Sequence, residues 1–353
     1  MTGPVARPGA GGVVSRPGLF GLLAASARVT VVSAPPGSGK TVLLRSWIGE
    51  AGLADRAAWV QAGRDERDPQ RFWVSVADAL RQTSAGSGLV RELTAAPDLD
   101  GWAVAERLLK DLAPLGDRVW LVIDDLQELA ATDALSQLEL LVMRGPPELR
   151  LVLATRQDVR LGMHRLRLEG ALTELRVADL RFTLAEARDL FAAAGVTVPE
   201  PTLELLYEQT EGWAAGLRLA ALSLTGHPDP ERFAAGFSGS ERTVAEYLLA
   251  EVLDRQSEEV RQLLLRTSVL DQVSGPLADV LRGGAGGERI LRELEQAGAF
   301  VIAVDARRSW YRYHQLFAEL LQHAGVQQQP PHPLALPVQH LRQQVFGHGP
   351  LAA

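Results

Sequence analysis

The residues best suited to chemistry lie in one short glycine-rich stretch near the N-terminus. The apolar run 29–32 is typical of a buried strand, and 41–50 is typical of a helix. Glycines in the turn between them let backbone N–H groups converge on an anion, and the helix start adds unpaired donors. The turn ends in Gly39-Lys40-Thr41. This arrangement predicts a phosphate loop that binds a nucleoside triphosphate or diphosphate.

Each part of the loop has a predicted role. The Lys40 ammonium is expected on the β- and γ-phosphates, and the Thr41 hydroxyl is expected to ligate Mg²⁺. Where the strict motif begins with glycine, this chain has Ala34, the smallest replacement. The residues expected to contact the nucleotide are Pro36, Gly37, Ser38, Gly39, Lys40, Thr41 and Val42.

An apolar run that ends in two carboxylates, at 119–125, is the second chemical signal. A buried unpaired carboxylate is costly, so such a strand end usually borders water, a metal or a catalytic position. Beside a phosphate loop, Asp124 is expected to hold the Mg²⁺ shell, and Asp125 is expected to orient or activate water.

A third apolar run, at 151–156, ends in Arg156. In P-loop ATPases with an extra strand between the loop strand and the acidic strand, a polar residue at this place senses the γ-phosphate. Arg156 is the candidate for that role here. The alternative is a surface arginine at a strand end.

Composition limits the class of protein. The chain has 353 residues, enough for two or three domains, and its 46% apolar and 22% charged residues are ordinary for a globular protein. It has no cysteine, which excludes disulfides and thiolate chemistry and fits a cytoplasmic location. No signal peptide or membrane span is expected. The net charge of −7 argues against nucleic-acid binding by this chain alone.

The order of patterns predicts an α/β P-loop NTPase domain, with a parallel sheet and helices on both faces, followed by an all-helical domain and a winged-helix domain. The predicted boundaries are an N-terminal linker at 1–27, the NTPase domain at 28–178, the helical domain at 179–240, the winged helix at 241–322, and a disordered Gln/Pro-rich tail at 323–353.

The winged helix is a possible DNA reader, but its third helix, at 287–297, argues otherwise. It carries three glutamates against Arg289 and Arg292, whereas a recognition helix needs donors for phosphates and base edges. We therefore expect an internal docking domain and no direct DNA-binding surface in this chain.

With these pieces in order, the chain resembles the nucleotide-binding region of the STAND group of AAA-like signal-transduction ATPases. Within that group it is most similar to the MalT-like class of large LuxR-type transcription regulators. The matching segments are 33–41, 68–73, 121–125, 180–183, 212–220 and 310–321.

Two motifs of the resemblance carry expectations for the site. Residues 216–220 look like the Gly-Leu-Pro-Leu-Ala motif, whose proline packs near adenine; Arg218 replaces that proline, and core packing by Trp213 and Leu217 is the alternative. Residues 313–317 look like the Met-His-Asp-Leu motif, whose histidine touches the β-phosphate of ADP and locks the resting state. His314 is the candidate for that contact, with a structural histidine as the alternative.

The resemblance implies an ATP/ADP-binding switch with slow ATPase activity. An unknown inducer would control it, and ATP would permit self-association and transcriptional control. Two alternatives remain open at this point. One is a turnover P-loop enzyme such as a small-molecule kinase, and the other is a truncated fragment that does not switch.

Overall fold

The N-terminal part is built on a parallel sheet. The computed structural model describes residues 13–63, 69–91, 100–129, 132–158 and 161–328. The five strands are β1 (Val29–Ser33), β2 (Ala57–Gln61), β3 (Val119–Asp124), β4 (Leu149–Thr155) and β5 (Leu172–Leu175). Their order in the sheet is β2-β3-β4-β1-β5, and every pairing is parallel. β4 therefore lies between the loop strand β1 and the acidic strand β3, the arrangement on which the interpretation of Arg156 depends.

Helices cover both faces of this sheet. They are α1 (Pro17–Ala24), α2 (Lys40–Glu50), α3 (Pro69–Arg81), α4 (Gly101–Leu112), α5 (Thr132–Arg144), α6 (Met163–Leu168) and α7 (Val177–Leu180). Successive side chains of a strand point to opposite faces. Leu121 and Ile123 accordingly join the core under α3, α4 and α5, whereas Val122 joins the core under α1 and α2.

A helical segment follows the sheet. It contains α8 (Leu184–Ala193), α9 (Glu200–Thr210), α10 (Ala214–Leu224) and α11 (Pro230–Gly236). A capping box begins α8, in which Thr183 accepts from the Glu186 N–H and Glu186 accepts from the Thr183 N–H. α11 was not predicted from the sequence, although Asp229 caps it and a proline stands at its first position.

The last part is a winged helix. Its elements are α12 (Arg242–Glu251), α13 (Glu258–Thr267), β6 (Val273–Ser274), α14 (Gly275–Arg282), α15 (Gly287–Gln296), β7 (Val301–Ala303), β8 (Trp310–Tyr313) and α16 (Gln315–Gln328). The three strands form an antiparallel sheet in the order β6-β8-β7. One apolar core runs through this domain and the preceding helices, from Trp213 and Leu217 to Leu291 and Phe317.

Two predicted boundaries differ from the structure. The predicted linker 1–27 contains α1, which buries Leu19 and Leu23 against the sheet. The predicted tail 323–353 begins inside α16, which ends at Gln328. Each helix packs an apolar face into a core, with Leu19 and Leu23 of α1 and Leu316, Phe317, Leu320 and Leu321 of α16 buried. The rest of the tail lies outside the described residues. So does Asp68, although an aspartate directly before Pro69 is typical of a helix N-cap and predicts the start of α3 there.

Candidate nucleotide site

The phosphate loop, residues 34–41, joins β1 to α2 as predicted. Gly37 and Gly39 have φ angles of +73° and +80°, which lie in the left-handed region that favours glycine. Gly39 is also the N-cap of α2. Only glycine adopts this backbone conformation at low cost. The turn places the backbone N–H groups at the start of α2 where they can bind an anion.

Lys40 is the first residue of α2, and its buried side chain reaches back to the start of this loop. Its side chain is 7% exposed, and its Nζ donates to the carbonyl oxygens of Ala34 at 2.7 Å and Pro35 at 3.1 Å. Burial lowers the pKa of Lys40 to about 8, and the charge of Arg156 acts in the same direction. An ammonium held this way would gain from a polyphosphate, since the anion would compensate a buried positive charge.

The acidic end of β3 reaches the loop through Thr41. The Thr41 Oγ1 donates to the Asp124 Oδ2 at 2.7 Å, across 83 positions of sequence. Asp124 is fully buried, and burial raises its pKa above the ordinary value although the Thr41 hydrogen bond opposes the shift. A hydroxyl and a buried carboxylate in contact are the donor set that Mg²⁺ with a nucleotide uses, so the residues present fit that ion.

Asp125 lies next along the chain, in a left-handed conformation with φ of +54°. Its carboxylate accepts hydrogen bonds from the Gln61 Nε2 at 2.8 Å and the Gln127 Nε2 at 2.9 Å. Two side-chain amides therefore fix the orientation of the Asp125 carboxylate, which the sequence predicts to orient or activate water. Neither glutamine was predicted as a site residue from the sequence.

Arg156 follows β4, and its guanidinium is directed towards the winged helix. Its Nη1 donates to the Glu251 Oε2 at 2.7 Å, and Glu251 also accepts from Arg255 at 3.0 Å. The Arg156–Glu251 pair is 23% and 27% exposed. In this structure Arg156 is therefore neither a free surface arginine nor a free phosphate donor. It is held by a carboxylate from another domain.

The helical segment docks directly on the phosphate loop. The Trp213 Nε1 donates to the Pro36 carbonyl at 3.1 Å, and the Ala215 N–H donates to the Gly37 carbonyl at 2.9 Å. A Cβ at Gly37 would lie 2.7 Å from the Ala215 Cβ, so glycine there also permits the docking. Trp213 thus packs in the core, as one alternative predicted, and in addition bonds to the loop, which neither alternative predicted.

The winged helix reaches the loop by a close backbone approach at Gly298. This residue has φ of +63°, and a Cβ on it would lie 2.5 Å from the Arg156 carbonyl oxygen and 3.3 Å from the Pro35 Cα. The turn after α15 is therefore seated against the loop and the end of β4 at once.

His314 lies at the start of α16 and is 5% exposed. Its Nε2 lies 3.1 Å from the Thr210 carbonyl oxygen, which can only accept, so Nε2 carries the proton. The Nδ1 atom is buried and has no partner among the described residues. Burial lowers the pKa of His314 to about 4, while the neighbouring carboxylate of Glu211 opposes that shift.

A cavity of about 460 Å³ connects these groups, and we call it the junction cavity. The loop contributes Pro35 and Ser38, β4 contributes Arg156, and the winged helix contributes His314. The phosphate loop and His314, the candidate for contact with the β-phosphate, therefore line the same cavity. Val42 lies outside it, on the exposed side of α2 with 48% of its surface accessible.

Comparison with known proteins identifies the family. The model of the MalT winged helix domain matches residues 249–333. The HTH-type transcriptional regulator MalT of Serratia proteamaculans is 32% identical over 318 residues, which cover 87% of this chain and 34% of that protein. The serine/threonine-protein kinase PknK of Mycobacterium tuberculosis is 32% identical over 317 residues, covering 88% of this chain and 29% of that protein. The chain is MalT-like and has the fold of a P-loop NTPase.

The structural comparison supports the NTPase fold of this MalT-like chain. A Walker-type ATPase of Pyrococcus abyssi superposes with a TM-score of 0.57, covering 86% of this chain and 93% of that structure at 16% identity. The MalT-like chain spans about a third of the length of the curated relatives it matches, from 29% to 34%. Transcriptional regulation and protein kinase activity are therefore statements about those longer proteins. No described helix of the MalT-like chain has the length and apolar character that crossing a bilayer demands.

Acid is expected to destabilise this MalT-like NTPase through His314. Its pKa is about 4 in the folded chain and about 6.5 when unfolded, so the unfolded chain binds more protons between these values. Stability should therefore fall by about 2 kcal/mol between pH 7 and pH 5 from this residue. Urea unfolding at both pH values gives the change in unfolding free energy between pH 7 and pH 5 for the wild type and for His314→Gln. An equal change in the two proteins would contradict a lowered pKa of His314.

Glu211, a neighbour of His314, is expected to change the stability of the chain in a separate range of pH. Burial acts to raise its pKa, but hydrogen bonds from Arg312 at 2.7 and 2.8 Å and the neighbouring His314 bring it down to about 2. This carboxylate contributes stability above its unfolded pKa, and that stability is lost as pH falls from about 4.5 to 2. The window lies below that of His314, so the two effects can be measured apart.

Proposed function

We propose that this MalT-like NTPase is an ATP/ADP-operated signalling switch with slow ATPase activity. The observation that supports the proposal best is that the phosphate loop is where the other two domains dock. Trp213 bonds to its Pro36 carbonyl from the helical segment, and Gly298 packs on its Pro35 from the winged helix. A change in the occupant of this loop therefore acts on the contacts of both domains.

The residues present suit a Mg²⁺-nucleotide. The backbone from Pro36 to Gly39 and the Lys40 ammonium would hold the phosphates, and Thr41 and Asp124 would hold the ion. Bound Mg²⁺ would neutralise charge on the phosphoryl oxygens. Asp125, oriented by Gln61 and Gln127, would position the attacking water.

The two nucleotides would favour different arrangements. The diphosphate is compatible with the closed form, in which Glu251 holds Arg156 and His314 faces the same cavity as the loop. A γ-phosphate would compete with Glu251 for the Arg156 guanidinium. ATP would then weaken the docking of the winged helix, and a ligand shifts such an equilibrium only by its differential affinity for the two forms.

The remaining parts of the proposal follow the family. An inducer, a small molecule or a protein, would favour the ATP form, and the opened chains would self-associate in the cytoplasm. Transcriptional control would be the output of a longer assembly, because α15 carries three glutamates and two arginines and is a poor DNA reader.

Glu251→Gln is expected to raise ATP affinity about three- to tenfold and leave ADP affinity unchanged, because it frees Arg156 from a half-buried ion pair. Glu246→Gln is the matched control. Glu246 lies on the same helix, and it pairs with Arg242 on the exposed surface. Dissociation constants for ATP and ADP, measured by calorimetry, test the pair of variants. An equal change for both nucleotides in Glu251→Gln would show that Glu251 does not compete with the γ-phosphate.

The switch itself is tested on the full chain. Sedimentation in saturating ADP, in saturating ATP and in a non-hydrolysable ATP analogue should give a larger species only with the two triphosphates. Steady-state turnover with candidate phosphate acceptors separates a switch from a kinase. Rapid transfer to an acceptor, or one sedimentation coefficient under all conditions, would overturn the proposal.

A further inference from the structure

The backbone that follows β4 is held between two domains. On the side of the NTPase domain, the Arg156 N–H donates to the Gln127 Oε1 at 3.0 Å. On the side of the winged helix, the Asp158 N–H donates to the Gln296 carbonyl oxygen at 3.3 Å. Gly298 comes so close that a Cβ on it would lie 2.5 Å from the Arg156 carbonyl oxygen. The position of this backbone therefore depends on whether the winged helix is docked.

Gln127 connects that backbone to Asp125 through both ends of its side-chain amide. Its Oε1 accepts from the Arg156 N–H, and its Nε2 donates to the Asp125 Oδ1 at 2.9 Å. Because a backbone N–H can only donate, the amide oxygen must face Arg156 and the amide nitrogen must face Asp125. The amide is one planar group, so a displacement of the Arg156 backbone would either move the Asp125 carboxylate or break one of the two hydrogen bonds.

Asp125 needs such support, because its backbone is left-handed with φ of +54°. A non-glycine residue keeps this conformation only where the surrounding structure holds it. The Asp125 carboxylate accepts from a second amide, that of Gln61, at 2.8 Å. Gln61 lies at the end of β2, and β3 separates that strand from β4. Of these two amides, only Gln127 also bonds to the backbone that the winged helix contacts.

We propose that Gln127 is a positioning residue through which docking of the winged helix holds Asp125 ready for hydrolysis. The inference rests on the proposed function, which assigns the attacking water to Asp125. ATP would then be hydrolysed while the winged helix is docked, and undocking would slow the hydrolytic step. An opened chain would therefore keep its ATP, which would make the opened state of the switch long-lived.

This link is separate from the ion pair between Arg156 and Glu251. The ion pair uses the Arg156 guanidinium, and its loss would change the affinity for a γ-phosphate. The link through Gln127 uses the Arg156 backbone N–H, and its loss would change the turnover of ATP that is already bound. The ion pair therefore acts on the dissociation constant, whereas the link acts on kcat.

A double-mutant cycle in single-turnover ATP hydrolysis tests the link. Gly298→Ala undocks the winged helix, and Gln127→Leu removes both hydrogen bonds of the amide. Each change is expected to slow hydrolysis about tenfold. The double variant should be no slower than either single variant, because both changes break the same link. Gln61→Leu is the matched control, since it removes the other amide from Asp125. Its loss should multiply with that of Gly298→Ala, to about a hundredfold.

Hydrogen exchange in the ligand-free chain gives a readout that does not depend on activity. Relative to the amides of β3, the Arg156 amide should exchange about tenfold faster in Gln127→Leu and in Gly298→Ala than in the wild type. It should exchange at the wild-type rate in Gln61→Leu. Gly283→Ala should also leave it protected, because Gly283 has φ of +73° but a Cβ there meets nothing within 4 Å. NMR of the full chain measures these rates.

Two results would overturn the inference. One is a multiplicative loss when Gln127→Leu and Gly298→Ala are combined, and the other is an unchanged Arg156 exchange rate in Gly298→Ala. Failure of the wild type to hydrolyse ATP would instead contradict the proposed ATPase, and the exchange rates would still decide whether Gln127 connects the domains. Glu251→Gln weakens the same docking without a steric clash and should give a smaller effect of the same kind, so the test does not depend on one variant folding.

Discussion

Lys40→Ala is expected to abolish the stabilisation of the chain by ADP and by ATP. Lys40 is the only charged side chain that the phosphate loop itself supplies, and it is buried with two carbonyl oxygens as its partners. Without it, the loop offers backbone dipoles but no full positive charge to a polyphosphate. At a free ligand concentration about 100 times the dissociation constant, the wild type should gain about 2.7 kcal/mol and the variant nothing measurable.

The other lysine of the chain, Lys110, provides the matched control. It lies exposed in the last turn of α4, and Lys110→Ala removes the same charge away from the loop. Urea unfolding with and without ADP or ATP gives the two stabilisation energies for each protein. If Lys40→Ala retained half or more of the wild-type gain, the nucleotide would bind elsewhere than this loop.

The local parts of the site were predictable from the sequence because their signals lie close together along the chain. The strand, the glycines and the helix start of the phosphate loop occupy one short stretch. Asp124 was predictable for a different reason. A long apolar run ending in carboxylates must leave them at a strand end, and parallel strands bring that end to the same edge as the loop. The Thr41–Asp124 hydrogen bond follows from these two local patterns together.

The contacts between domains were not predictable in this way. The Trp213–Pro36 hydrogen bond joins residues 177 positions apart. A tryptophan before a helix is as typical of core packing as of a contact with another domain. Glu251 shares α12 with a second glutamate, Glu246, and the periodicity of the helix does not show which of the two contacts Arg156. Such pairings depend on how whole domains pack, and residue patterns of one strand or helix carry no information about them.

Gly298→Ala is expected to uncouple the winged helix from the phosphate loop. Its Cβ would lie 2.5 Å from the Arg156 carbonyl oxygen and 3.3 Å from the Pro35 Cα. Both are backbone atoms, so neither can rotate away as a side chain could, and the two domains must separate for the methyl group to fit. The variant should also carry the strain of a non-glycine residue at φ of +63°, about 1–2 kcal/mol.

Gly283→Ala is the matched control, because it introduces the same backbone strain without a close contact between domains. Gly283 has φ of +73° in the same domain, and a Cβ on it would meet nothing within 4 Å. Both variants should lose similar backbone stability, but only Gly298→Ala should lose the preference for ADP, by about tenfold if the docking contributes about 1.4 kcal/mol. The ratio of the ATP to the ADP dissociation constant, measured for the wild type and both variants, tests this prediction. Equal ratios in the two variants would mean that the winged helix rests on the loop without sensing what the loop holds.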